Sequence, residues 1–354
     1  MNYIFYPTKD STIYEGTSSL NTGRDQILEI SHDSFNGSSY NSRALLEFNT
    51  DKINDFITKK NLINNNIVYK LKLFVTEKKE LSQDITIDIH PLFYSWNNGL
   101  GKWQHRPYTI NDVNWKNRKN STRWETGSYQ SGITGSWRTT PGGGNWYDNI
   151  KSSHTFDYET EDLNSDVTTL INGWVTGSIA NNGMIVKFEK QVENETGSFS
   201  QINFFSRETN TIFPPQLHLI YDDSVYVTGS ATELKLNDIV LAPSINTTYK
   251  KDEIRKIKIN VREKYPTVNF STTSSYLRKY RLPAGSYYSI IDDNSNITIV
   301  DFSEGTKISH DNNENYFILD FDCLFPKRYY RLKFLVEKDN EKKIFEHNHP
   351  FQVI

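Results

Sequence analysis

The sequence predicts an all-β protein of two successive β-sandwiches, and three observations carry that expectation. Apolar and polar residues alternate with a period of two in most of the apolar runs. Turn-rich stretches such as NTGRD, NGSSYN and ENETGS separate those runs, as short antiparallel strands require. All seven tryptophans, Trp96, Trp103, Trp115, Trp124, Trp137, Trp146 and Trp174, lie between residues 96 and 174, so the two parts of the chain have different core chemistry. At 354 residues the chain exceeds the usual single core, and 14% aromatic residues within a hydrophobic fraction of 36% favour strands.

In IVYKLKLFVTE, Ile67, Tyr69, Leu71, Leu73 and Val75 fall on one face and Lys70 and Lys72 on the other, which reads as one half-buried strand. Ile85, Ile87 and Ile89 repeat the pattern, as do Met184, Val186 and Phe188, and then Leu217, Leu219 and Tyr221. One segment departs from it. Val167, Leu170, Ile171 and Trp174 follow helical spacing, with Ser165 or Asp166 as N-cap and Gly177 as the stop, and so predict one short helix closing one end of the first sandwich. After Asp222 and Asp223 the strands are Ile257, Ile259 and Val261; Phe317, Leu319 and Phe321; and Tyr330, Leu332, Phe334 and Val336, with IDDNSN and HDNNEN as turns. The expected division is therefore residues 1–222, then 223–354 as a connecting stretch plus an immunoglobulin-like β-sandwich.

An ordered series of segments, SRALLEF, IVYKLKLFVTE, SWNNG, DVNWKNR, TPGGG, DVTTLINGW, NNGMIVKFE, FFSRE and PPQLHLIY, resembles the DNRLRE-type jelly-roll family, which is related to carbohydrate-binding modules. Asp10 in KDSTIYEG stands in the early Asp strand, and Arg43 heads the apolar strand that runs to Phe48. Asp166 opens the Asp-Val-Thr segment that ends in Trp174, and Arg207 lies in the Ser-Arg-Glu that precedes the last, Pro-rich strand. The resemblance covers about the first two thirds of the chain. It implies an N-terminal jelly roll in which Arg43, Trp96, Trp115, Asp166, Trp174 and Arg207 are core-motif residues. Jelly-roll carbohydrate modules often hold a structural calcium ion, for which the resemblance brings Asp10, Asp33 and Asp222 into view as contributors.

The long segment from Ser95 to Asn149 is rich in Trp, Gly, Asn and Ser and poor in alternation, the composition of an adaptable binding loop. Trp103, Trp124, Trp137 and Trp146 are the candidate binding residues, as a stacking platform for sugar rings or a protein partner. The competing reading is that these rings cover one end of their own scaffold. Asp311, Asn313, Asn315 and Asp322 fall at offsets of a calcium loop, but the mid-loop Gly is missing, so a polar turn is favoured. His347 and His349 lack further Cys or His neighbours in sequence and read as a solvated turn. Arg278, Lys279 and Arg281 read as a solvated strand or protein interface before they read as a phosphate site.

No nucleophile elbow, Walker loop or zinc-protease helix is found, and Cys323 lies in an apolar strand, so the expectation is a non-enzyme without catalytic residues or a required cofactor. A pair of carboxylates placed by the fold remains the route to glycosidase chemistry. A net charge of −3 argues against a nucleic acid or anionic membrane as partner. MNYIFYPTKDS lacks a leader pattern, no apolar run is long enough to cross a bilayer, and the single cysteine forms no intrachain disulfide. The sequons at Asn120 and Asn296 then reflect Asn-rich composition rather than glycosylation.

YRLPAGSYYSIIDDNSNITIVDF and NYFILDFDCLFPKRYYRLKF are similar to segments of structural proteins of large tailed bacteriophages. This implies a virion structural protein, synthesised in host cytoplasm, present in multiple copies and contacting other virion proteins through β-sandwich surfaces. The alternative is a carbohydrate-binding surface protein or a glycan-active accessory module that meets a host-surface glycan.

Overall fold

Alternation in the sequence becomes cross-strand pairing in the computed structural model, which describes residues 1–35, 38–62, 66–79, 84–104, 112–125, 133–134, 142–157, 162–195, 199–266 and 279–354. The fold is all-β. Residues 4–219 form one compact unit, and residues 220–354 together with residues 1–3 form another, so the first three residues leave the N-terminal unit to which the sequence had given them. Met1 explains the assignment: its amino group donates to the Tyr221 carbonyl at 2.5 Å and to Asp223 at 2.6 Å.

In the first unit the strands Ser152–Phe156, Ile85–Pro91, Met184–Phe188, Ser38–Glu47, Ile27–Phe35, Phe199–Phe205 and Val75–Lys79 lie side by side in that order, with Lys9–Tyr14 also paired to Ser38–Glu47. A second sheet is ordered Asn2–Phe5, Gln216–Ile220, Val68–Leu73, Leu163–Asp166. Inward residues at every second position, Ile85, Ile87 and Ile89 among them, are buried between these layers. Met184–Phe188 is buried on both faces.

The run read as a single strand from residue 67 to 75 is two. Val68–Leu73 pairs with Leu163–Asp166 in one sheet, whereas Val75–Lys79 pairs with Phe199–Phe205 in the other. The chain changes sheets at Phe74, where Leu73 and Phe74 are both buried and the alternation lapses. Lys72, expected on a solvated face, is also buried.

Among the described residues three α-helices stand where a single one was expected. α1 (Thr50–Lys59) is capped by the Asn49 side chain, which accepts the Lys52 N–H, and it buries Ile53, Phe56 and Ile57. α2 (Thr168–Val175) is the anticipated helix, with Val167, Leu170, Ile171 and Trp174 all buried. Its N-cap is Val167 rather than Ser165 or Asp166, although Asp166 still accepts the Thr168 N–H at 2.8 Å from the end of the preceding strand. Gly177 follows the helix at φ +73°, in the left-handed region that glycine enters without strain. α3 (Lys190–Glu193) is a single turn.

In the second unit one sheet is ordered Tyr226–Val227, Ser309–Asp311, Asn315–Asp320, Ile254–Glu263, Ile239–Pro243. The other is ordered Thr248–Tyr249, Glu341–Val353, Arg328–Lys338, Gly285–Asp292, Thr298–Val300. With no tryptophan available, the core is made of smaller rings: Tyr288 stacks on Phe317 with centroids 4.1 Å apart, and Tyr249 on Phe321 at 4.2 Å. The two long strands Arg328–Lys338 and Glu341–Val353 join through Asp339 and Asn340, both at positive φ, as a two-residue hairpin of right-handed twist requires.

Candidate functional site

Trp103 is exposed, and it stands beside an open cleft. Its ring lies 4.8 Å from that of Tyr14, the last residue of Lys9–Tyr14, with the planes tilted by 52°. Its backbone N–H donates to both carboxylate oxygens of Asp25 at 3.1 Å. The cleft has a volume of about 410 Å³, and Arg24, Gln26, Glu29 and Gln104 also line it. Burial pushes the Tyr14 phenol well above its ordinary range, with the charges of Glu29 and Asp25 adding to the effect. Burial likewise raises Glu29, against hydrogen bonds from Ser31 and Ser42 and the charge of Lys79.

Asn21 holds this corner together. Its side-chain amide donates to the carbonyls of Asn98 (2.8 Å) and Val113 (2.7 Å), and its oxygen accepts from Gly101 (2.8 Å) and Gly23 (3.3 Å). A Cβ on Gly101 would sit 2.0 Å from the Asn21 carbonyl oxygen, so the backbones meet only because that residue is glycine. Asn21 therefore ties the end of SWNNG, at Asn98, to Gly101 on the segment that leads to Trp103. An aromatic floor ringed by carboxylates, amides and a guanidinium has the means to stack a flat apolar face and hydrogen-bond its polar edge.

The other candidate rings differ. Trp124 and Trp146 are 1% and 0% exposed and belong to the core cluster with Trp96 and Trp115, so they are closed to a ligand. Trp124 donates its indole N–H to the Asn114 carbonyl. Trp137 lies outside the described residues.

Arg43 is fully buried. Its Nε and Nη2 make a bidentate pair with Glu193 at 2.8 Å each, and Nη1 donates to the Gly143 carbonyl at 2.6 Å. Its guanidinium carbon lies 4.8 Å from the Trp115 ring centre and 5.2 Å from that of Trp146. Lys187 is 3.8 Å from Glu193, and burial pulls it down to about 8 against the opposing pull of that carboxylate. Gly142, Gly143 and Gly144 all have positive φ, and a Cβ on Gly143 would meet Arg43 at 2.6 Å and Trp115 at 2.8 Å. The Gly142–Gly144 run thus closes over the buried ion pair.

Trp96 donates to the Asn182 carbonyl, while Asp166 and Arg207 are exposed. The Arg207 backbone N–H reaches Asp10 at 2.5 Å. Burial raises Asp10 to about 7, even though that hydrogen bond and the Arg207 charge oppose the shift.

Asp33 is exposed, and Asp222 binds Lys307 and Ser224. Asp311 caps the turn at Asn313 and Glu314 and pairs with Lys256, Asn315 bonds Leu282 and Tyr280, and Asp322 accepts from Tyr3. Among the described residues no group of three His, Cys, Asp or Glu side chains is arranged to hold a metal. The His347 and His349 rings lie 5.3 Å apart on the last strand. Lys279 bonds Asn313 and Arg281 pairs with Glu233, so two of the three basic residues are neutralised or engaged within their own unit; Arg278 lies outside the described residues.

No family model and no curated protein matches the chain. Among solved structures, a β-glucuronidase from Parabacteroides merdae with glycerol in its active site aligns with 88% of this chain and 27% of its own length, at 11% identity and a TM-score of 0.17. A likeness at that level carries no argument about fold or activity.

Proposed function

We propose that this chain is a non-enzymatic structural protein of a tailed-phage virion, made in the host cytoplasm, whose jelly-roll and immunoglobulin-like modules serve assembly or adhesion. The observation that supports the reading is where apolar surface is left uncovered. Among the described residues, Ile254, Tyr265, Ile318, Tyr329 and Ile344 of the second unit are each more than a third exposed. Ile254 and Ile318 lie on neighbouring strands of one sheet face, in the company of Lys256 and Lys258. Exposed aliphatic and tyrosine side chains rimmed by charge fit a protein partner better than a small ligand. Mass spectrometry of purified particles should find the chain in a fixed ratio to the other virion proteins; its absence from particles would sink the reading.

A second reading rests on the Trp103 cleft. The exposed indole over Tyr14, with Asp25 and Glu29 beside it, suits a sugar ring. Calorimetric titration with host-surface glycans should then give weak binding that Trp103→Ala abolishes. Turnover of the glycan by the isolated protein would instead promote the carbohydrate-active alternative.

A further inference from the structure

The last strand, Glu341–Val353, has an open edge. On one side it pairs with Arg328–Lys338; on the other, Thr248–Tyr249 covers only Gln352 and Val353, and among the described residues no strand pairs with residues 341–350 there. Ile344 is 57% exposed in the middle of that stretch. We propose that residues 341–347 pair antiparallel with the same residues of a second copy of this chain, centred on Ile344, joining two five-stranded sheets into one. The proposal goes further than the assembly reading and rests on it only for its biological setting.

The register follows from parity and charge. Along a strand, successive residues alternately point their N–H and C=O groups toward and away from a given neighbour, so only residues of like parity can face each other without a bulge. A two-fold pairing must then be centred on a residue. Centring on Lys343 or on Glu346 would set like charges face to face, and centring on Phe345 would put Ile344 opposite Glu346.

Centring on Ile344 puts Lys342 opposite Glu346 twice over, once on each side of the axis. Within one copy, Lys342 already pairs with Glu337 at 2.6 Å and Glu346 with Lys333 at 3.0 Å, on the face turned away from the core. The joined sheet would carry Glu337, Lys342, Glu346 and Lys333 as an alternating ladder across four strands. Between two such ladders, Leu335 and Ile344 of both copies would form one apolar stripe, since Leu335 and Ile344 are cross-strand neighbours. Lysines on an edge ordinarily discourage pairing. Here Glu346 supplies the matching charge, and it does so in this register alone. The contact is isologous and smaller than a standard interface, so association is weak and depends on concentration.

Sedimentation of the full chain from low-micromolar to submillimolar concentration should show a monomer–dimer equilibrium, weakened roughly tenfold or more by Ile344→Lys. Because position 344 is solvent-exposed, that variant keeps its fold. On oxidation, Ile344→Cys should cross-link into a covalent dimer much faster than Glu346→Cys, whose sulfurs lie out of register. Cys323 is buried and does not compete. A chain that stays monomeric throughout, or equal cross-linking at the two positions, overturns the proposal. A chain that dimerises this way yet is missing from particles overturns the virion assignment and leaves the edge pairing standing; a monomer found in particles does the reverse.

Discussion

Arg43 is a charge that water cannot reach, and everything around it exists to make that tolerable. Glu193 supplies the counter-charge, the Gly143 carbonyl takes a further N–H, and two indoles cover the guanidinium faces. Arg43→Met leaves the carboxylate buried with only Lys187 nearby, so it should destabilise the first unit by about 3 to 5 kcal/mol in urea unfolding. Arg43→Lys should recover little of this, since an ammonium cannot form the bidentate pair. Asp10 acts in the opposite sense. Its folded value of about 7 lies above its ordinary 3.8, so its contribution to stability is fully present below about pH 4 and is lost as pH rises to 7. His90 and His218, lowered by burial to about 4 and about 3, favour the folded state toward neutral pH and oppose that trend. The parent should therefore be compared with Asp10→Asn, and the difference in their stabilities should move by on the order of 3 kcal/mol in the variant's favour between pH 4 and pH 7. A pH-independent difference would mean that Asp10 does not titrate in this window.

At the scale of elements, the sequence reveals those with a period and hides those without one. α2 was legible because four apolar residues mark one face of two turns. Trp174→Ala should cost about 3 to 5 kcal/mol and favour aggregation, because the helix seals the sandwich with that ring. A variant as stable as the parent would remove Trp174 from the core. α1 left a fainter trace, with Ile53, Phe56 and Ile57 behind an Asn cap, and α3 is too short to have a period at all. The break at Phe74 escapes a two-residue pattern because alternation says which face a side chain takes, not which sheet receives the strand. In the Gly142–Gly144 loop, conformation and crowding act together: Gly143→Ala meets both positive φ and the Arg43 and Trp115 side chains, so it should destabilise more than an ordinary Gly→Ala change, by about 2 to 4 kcal/mol in thermal or urea unfolding. Of the cleft, Trp103 was nameable as a loop tryptophan. Tyr14, Asp25 and Glu29 carry no local signal, since they join Trp103 only through the fold.

At the scale of the whole molecule, the chain places all its tryptophans in residues 4–219 and none in the unit formed by residues 220–354. This gives each unit its own optical address without any label. Indole emission reports on the first unit alone, and near-ultraviolet tyrosine dichroism, once the indole bands are subtracted, is weighted toward the second. Two units with separate cores should therefore give non-coincident melting curves by the two probes, while one cooperative unit would superimpose them. The same asymmetry sorts the indoles themselves. Trp103 is exposed, whereas Trp96, Trp115, Trp124, Trp146 and Trp174 are buried. Iodide should quench a red-shifted fraction of the emission, and Trp103→Phe should reduce that fraction, making the cleft visible in a cuvette.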